Sequence, residues 1–417
     1  MKLTHVLAGA AVVVSTLSLA AAPSQSAVIT SPTPASTPIL NRPQFHGSSA
    51  VVEAIEQVGN RVVVAGHGIT SFSQGNGTTV TTNRAGLTAT APGDPTRITF
   101  MGPAGAQWWS LLPDASGTSV YAGSASGVSK FNLSTGAQTW THSLGGKVAS
   151  IDNVPGTSLI IVSGSFPGGI TVLRKDTGAT AAYTVPKLNS GGSILHSDVQ
   201  PGGNHWVGVG SFKGLGGLAR SQIAMLTLGT TSATVTAWDA PTSHPNGVTP
   251  CNPKYANPFH DVAFLRNGSA FFVVSTGASN VGMCDAVSRF NMSNISLSAK
   301  PVWITGTCMD TFWSVESAPD SSFIMVGGHF KCIGQHHNPV SGTNVSRFAL
   351  AALDPTTGNV LPWKGDKCRA VGTREISWIN GGVAIGYDCP FFGNNESVNP
   401  EPSRQIPRDR FAVLALP

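Results

Sequence analysis

The chain reads as an all-β protein, a single seven-bladed β-propeller of four-stranded antiparallel blades, and three features predict it. One phrase recurs seven times between Val52 and Tyr387: an apolar stretch, a polar turn, then a β-rich run ending in small residues. Repeats of roughly 40 to 65 residues are what propeller blades leave in a sequence. Within each copy apolar and polar residues alternate with period two, and the turns carry Gly, Asn, Asp and Pro, so each phrase is a hairpin. Only 11% of the 417 residues are charged, while 48 Gly and 28 Pro are available for turns; typical soluble proteins carry about 25% charged residues. An array of β-sandwiches is the main rival, and seven in-phase units without interdomain linkers speak against it.

Taken in order, residues 1–27 form a secretory signal peptide. Lys2 precedes an apolar stretch from Val6 to Ala22 that ends in small residues, with cleavage expected between Ala20 and Ala27. Residues 28–45 are a lead-in: Ser26 to Thr37 is Ser/Thr/Pro/Ala, too polar to bury a core, while Ile39 to Phe45 could supply a closing strand. Residues 46–417 are the propeller, with blades beginning near Ser49, Gln107, Lys147, Ser193, Pro258, Thr311 and Gly372. Third and fourth strands are clearest in VSKFNLSTGAQTW and ALAALDPTTGNVLPW, where a Thr-Gly turn precedes a strand ending in Trp140 or Trp363; LRKDTGATAAY around Gly178 is a weaker copy. Such an aromatic can pack between neighbouring blades. The chain ends in the third strand of the last blade, so the Ile39 segment is expected to cover its edge and close the ring.

All six cysteines fall in the last three repeats. In each of these, one cysteine precedes the first strand and another follows the second, and antiparallel pairing brings those positions together. The expected disulfides are Cys251 with Cys284, Cys308 with Cys332 and Cys368 with Cys389, each contributing roughly 3 to 4 kcal/mol in the chain-entropy model. This agrees with an exported, oxidising destination.

The stretches DTFWSVESAPDSSFIMVGGHF (310–330), ALAALDPTTGNVLPW (349–363), CDAVSRF (284–290), and the ending GVAIGYDCPFFG with RDRFAVLAL resemble secreted bacterial propellers of the delta-sixty repeat type. The resemblance covers roughly residues 250–417. It implies fold and export and carries no catalytic residues. The chain departs from the commoner form of that type in Phe-Lys-Cys after Gly-Gly-His and in its extra cysteines.

In a propeller the first strand of each blade lines the central channel, and the loops before it and after the second strand share one face. An ungapped frame makes Val52, Trp109, Ser150, His196, Asp261 and Trp313 equivalent, with Thr373 or Arg374 completing the ring. Beside them stand Asp198, His260, Asp310 and Glu375. A ring of this composition could stack on a sugar and hydrogen-bond it; such residues can also merely bond each other or water. The candidate ligand-binding residues are therefore Trp109, His196, Asp198, His260, Asp261, Asp310, Trp313, Arg374 and Glu375.

Several functions are excluded by what is missing. There is no nucleophile elbow, metalloprotease helix or phosphate loop, and no basic run that would track nucleic acid despite a net charge of +5. After the leader no segment reaches the length of a membrane span. GHFKCIGQHHN suggests a metal only superficially, since Cys332 is better used in a disulfide; no metal or organic cofactor is expected. The reading is a secreted, monomeric, non-catalytic propeller binding an extracellular glycan or protein through the loop face of blades 4 to 7. A polysaccharide hydrolase or lyase using a His/Asp pair, and a structural or adhesion module of the cell envelope, are the alternatives.

Overall fold

The computed structural model describes residues 38–81, 86–189, 191–240, 259–277, 282–297, 299–308, 310–334, 344–365, 372–393 and 406–415. The expected leader, Cys251, Cys368, the His336 and His337 pair, and most of the long loops after the second strands of units 5 to 7 lie outside the described residues. Strands and turns make up what is described, with no helix among the described residues.

Seven hairpins recur, with first strands at Val51–Val58, Trp108–Pro113, Lys147–Asn153, Ile194–Val199, Phe259–Phe264, Phe312–Ser317 and Thr373–Ile379. The sheets that they open are numbered 1 to 7. Each first strand packs on the first strand of the next sheet, and that of sheet 7 packs on that of sheet 1. Period-two alternation sends successive side chains to opposite faces, which here means to two different neighbours. In sheet 3, Ile160 and Val162 join Tyr121 and Val128 of sheet 2, while Ile161 joins Trp206 and Leu226 of sheet 4. One such apolar cluster fills every gap between successive sheets, including Phe411 and Val413 of sheet 7 against Val52 and Ile55 of sheet 1.

Four strands per sheet holds only for sheets 1, 2 and 4. Sheets 3 and 6 have three, and their fourth strand shrinks to the isolated bridges Leu173 to Thr180 and Leu353 to Val360. In sheet 6 the next step would fall on Pro362, which has no N–H to continue a ladder. Sheet 5 instead grows to six strands, recruiting Cys332–Gly334 and Val345–Ser346 beyond Trp303–Thr307. The disulfide Cys308–Cys332 forms as expected, with Cα atoms 5.5 Å apart. Cys284 and Cys389 are also disulfide-bonded.

Sheet 7 ends at Phe411–Ala415, and residues 39–45 cover that edge with two backbone bonds rather than a continuous ladder: Ile39 N–H to Val413 O and Phe45 N–H to Asp409 O. Between them the buried Arg408 guanidinium donates to the carbonyls of Leu40, Arg42 and Pro43. His46 adds a clasp, its Nδ1 2.7 Å from Asp409 Oδ2 and its Nε2 2.7 Å from Ser73 Oγ. That is the connectivity of a Ser-His-Asp relay, but Ser73 is only 8% exposed, and the relay is best understood as a tie between the two ends of the chain. Trp140 reaches the next sheet as expected, donating from Nε1 to Lys175 O and lying where a side chain on Gly178 would sit.

One irregularity recurs in every sheet. The register between first and second strands slips by one residue at Val52/Ala54, Trp108/Ser110, Val148/Ser150, Ile194/His196, Phe259/Asp261, Phe312/Ser314 and Thr373/Glu375. A β-bulge puts two residues against one and re-aims side chains. The bulged residues are Glu53, Trp109, Ala149, Leu195, His260, Trp313 and Arg374. The next position is held by Ala54, Ser110, Ser150, His196, Asp261, Ser314 and Glu375. This corrects the ungapped frame, which mixed the two sets and used Val52 and Thr373 from neither. Its error has two causes: sheets 1 and 7 close their hairpins with two-residue turns, at Gly59-Asn60 and Asn380-Gly381, where the others use longer ones, and Gly123 and Gly327 sit one residue later in the second strand than their counterparts.

Candidate functional site

The seven bulged residues form a collar. All of them line one cavity of about 240 Å³, together with Lys147, His196, Asp261 and Glu375. The bulges lie at the start of each first strand, so this mouth opens on the face shared with the loops that follow the second strands. Its walls are aromatic and cationic. Lys147 Nζ lies 4.7 Å from the ring centre of Trp109, whose other close ring neighbour is His67 at 6.0 Å. On sheets 6 and 7, Arg374 lies 4.2 Å above Trp313, and His260 meets the same indole edge-on at 4.1 Å. Both pairs are built alike, with a bulged Trp on one sheet and a cation from the next.

Below the collar the position after the bulge ties sheet to sheet. Ser110 Oγ donates to Val148 O, Ser150 Oγ to Ser197 O, and Ser314 Oγ to Thr373 O. Asp261 does more: Oδ1 accepts the N–H of Val262 at 2.7 Å, and Oδ2 accepts the N–H of Val315 on sheet 6 at 2.8 Å. His196 Nδ1 lies 2.6 Å from Asp261 Oδ1 in an ion-pair contact. His196, Asp261 and Glu375 line both the mouth and a second, inner chamber of about 430 Å³.

Two residues further along each first strand the same inward direction returns, and the inner chamber turns acidic. Glu56, Asp152, Asp198 and Glu316 hold that position on sheets 1, 3, 4 and 6 and line the chamber with Arg266. Asp198 repeats the brace of Asp261, taking the N–H of Val199 and that of Phe264 on sheet 5. Asp152 accepts from Ser197 Oγ and Trp206 Nε1, and Glu316 pairs with Arg266.

Burial sets the charge states. It pushes the Glu56 and Asp152 carboxyls up to about 7 and Glu316 up to about 8, against the lowering pull of Arg266 on the two glutamates. Glu375 is raised well above the usual range by burial and by the Asp261 charge. Burial would push His196 down, but Asp261 overrides it and holds the imidazolium up to about 10. His260, buried and next to Arg374, falls to about 3 and is neutral.

Among the sequence-predicted residues, Trp109, His196, His260, Asp261, Trp313, Arg374 and Glu375 come together at the mouth. Asp198 lies in the inner chamber. Asp310 is outside both, 3.2 Å from His329 in an ion pair that also occupies one of the loop histidines. Sequence reasoning missed Glu53, Lys147, Glu56, Asp152, Glu316 and Arg266. Glu56, Asp152 and Glu316 carry a legible signal, since with Asp198 they place an acid three residues after the bulge on four sheets. His196 and Asp261 touch each other, whereas glycoside hydrolysis needs two groups about 5 to 10 Å apart across one bond, so this pair does not form such a site. Among the described residues no group of His, Cys, Asp and Glu side chains is arranged to hold a metal ion, and no helix is long and apolar enough to cross a membrane.

Fold and site together define a β-propeller with a collared central channel. The solved WD40 β-propeller domain of Doa1 is similar over 82% of this chain and 92% of its own, with a TM-score of 0.47 and 11% identity. No family model and no curated protein matches the chain.

Proposed function

We propose that this is an exported seven-bladed propeller of the delta-sixty type that binds the end of an extracellular glycan in the channel mouth without cleaving it. The seven apolar clusters, one per gap between successive sheets, support the closed ring. The observation that carries the binding site is the placing of two indoles, Trp109 and Trp313, on bulges facing one small cavity. Indoles offer apolar faces to the C–H face of a sugar, and a few polar groups around them fix orientation. Binding rather than turnover follows from the use of Asp261 as a brace, since its carboxylate is already committed to two amides and an imidazolium.

The test is to incubate the mature protein with a panel of polysaccharides and measure retention and released fragments by mass spectrometry. Trp109→Ala and Trp313→Ala should each weaken retention roughly fivefold, as expected for about 1 kcal/mol of ring contact. Retention unchanged in both variants would move the site away from the mouth. Fragments that vanish in His196→Ala would replace binding by catalysis.

A further inference from the structure

Resting on that reading of the mouth as a glycan site, we propose that its ligand is an acidic sugar, a uronate whose carboxylate is held by Lys147 and Arg374. Both cations line the same cavity. Among the described residues neither is within ion-pair distance of a carboxylate, although the cavity contains three: Glu53 lies 3.3 Å from His67, Asp261 is taken up by two amides and His196, and burial raises the Glu375 carboxyl well above its usual range. Each cation instead lies over an indole face while lining the cavity. Arg374 Nε is buried and has no hydrogen-bond partner. Half-buried charges in proteins are normally paired, because removing a cation from water is costly unless an anion or acceptor compensates. Here neither cation has a carboxylate in direct contact; burial depresses the Lys147 ammonium, the Glu53 charge offsets that only in part, and the Arg374 charge adds to it. An anion arriving between them removes both penalties together.

A carboxylate suits this geometry better than a phosphate ester. The guanidinium fork matches carboxylate oxygens in bidentate fashion, and the carboxylate of a pyranose uronate projects from the ring edge while its C–H face remains free for an indole. The neutral His260 beside Arg374 can donate one further hydrogen bond without adding charge.

Titration calorimetry with galacturonic acid oligomers, their methyl esters, neutral galactose oligomers and inorganic sulfate decides the matter. The acid form should bind 10- to 100-fold more tightly than its ester, the ratio expected for one charge-assisted contact. Lys147→Met and Arg374→Met should abolish that preference without lowering the thermal unfolding temperature, and Arg374→Lys should restore only part of it. Acid and ester binding alike, or a preference that survives both substitutions, overturns the proposal and leaves the glycan site standing. Sulfate binding as tightly as the acid overturns the choice of carboxylate. If no saccharide binds, the glycan reading itself fails.

Discussion

Asp261 is the side chain whose removal the structure prices most directly. It is 8% exposed and its two oxygens accept the amides of Val262 and Val315, so Asp261→Ala strands two buried donors. Each stranded donor costs about 1–3 kcal/mol, and the His196 imidazolium, whose side chain is 39% exposed, loses its partner at a solvent-screened cost of about 1 kcal/mol. Because the losses share one site they do not simply add, and about 4 kcal/mol is the expected total. Asp261→Asn keeps an acceptor for Val315 and should cost about half as much. Urea unfolding followed by tryptophan fluorescence measures both, with His196→Ala and the double variant completing a cycle. The double variant should be less destabilised than the sum of the singles, since the imidazolium is then gone. A loss below about 1 kcal/mol for Asp261→Ala would refute the brace and reopen Asp261 as a catalytic group.

Three further outcomes follow from the same geometry. Glu56, Asp152 and Glu316 have folded pKa values raised to about 7, 7 and 8, and His196 is raised to about 10; groups raised on folding stabilise fully below their unfolded pKa and lose that contribution as pH rises through the folded value. Thermal unfolding should therefore shift downward between pH 5 and pH 9, and Glu316→Gln combined with Glu56→Gln should flatten the shift in its lower half. Opening Cys308–Cys332, which spans 24 residues, should cost about 3.5 kcal/mol in the chain-entropy model, read as a lower denaturation midpoint in the Cys308→Ser/Cys332→Ser variant. Arg408→Ala removes the donor to three carbonyls of the closing segment and should expose residues 39–45 to hydrogen exchange and proteolysis before the rest of the chain unfolds; protection unchanged from the parent would show that the segment does not depend on this clasp.

Much of this was legible because a propeller writes its fold as repetition. The hairpins, the channel-facing strands and the Cys308–Cys332 pairing all follow from aligning one phrase with itself. The bulge was hidden for a physical reason: it inserts a residue without altering the apolar pattern on either side, so Trp109 and Ser150 look equivalent in sequence although one is bulged and the other braces the next sheet. Lys147 was invisible for another reason. It stands before its own bulge and acts on the indole of the preceding sheet, a relation between neighbours that a single repeat does not contain.

The claim that the mouth is the binding site is tested most directly by the indole N–H resonances of the nine tryptophans during titration with an acidic oligosaccharide. Trp109 and Trp313 should shift together and saturably, while Trp206 and Trp238, buried between sheets, stay in place. Binding that leaves both collar indoles unmoved would contradict the account.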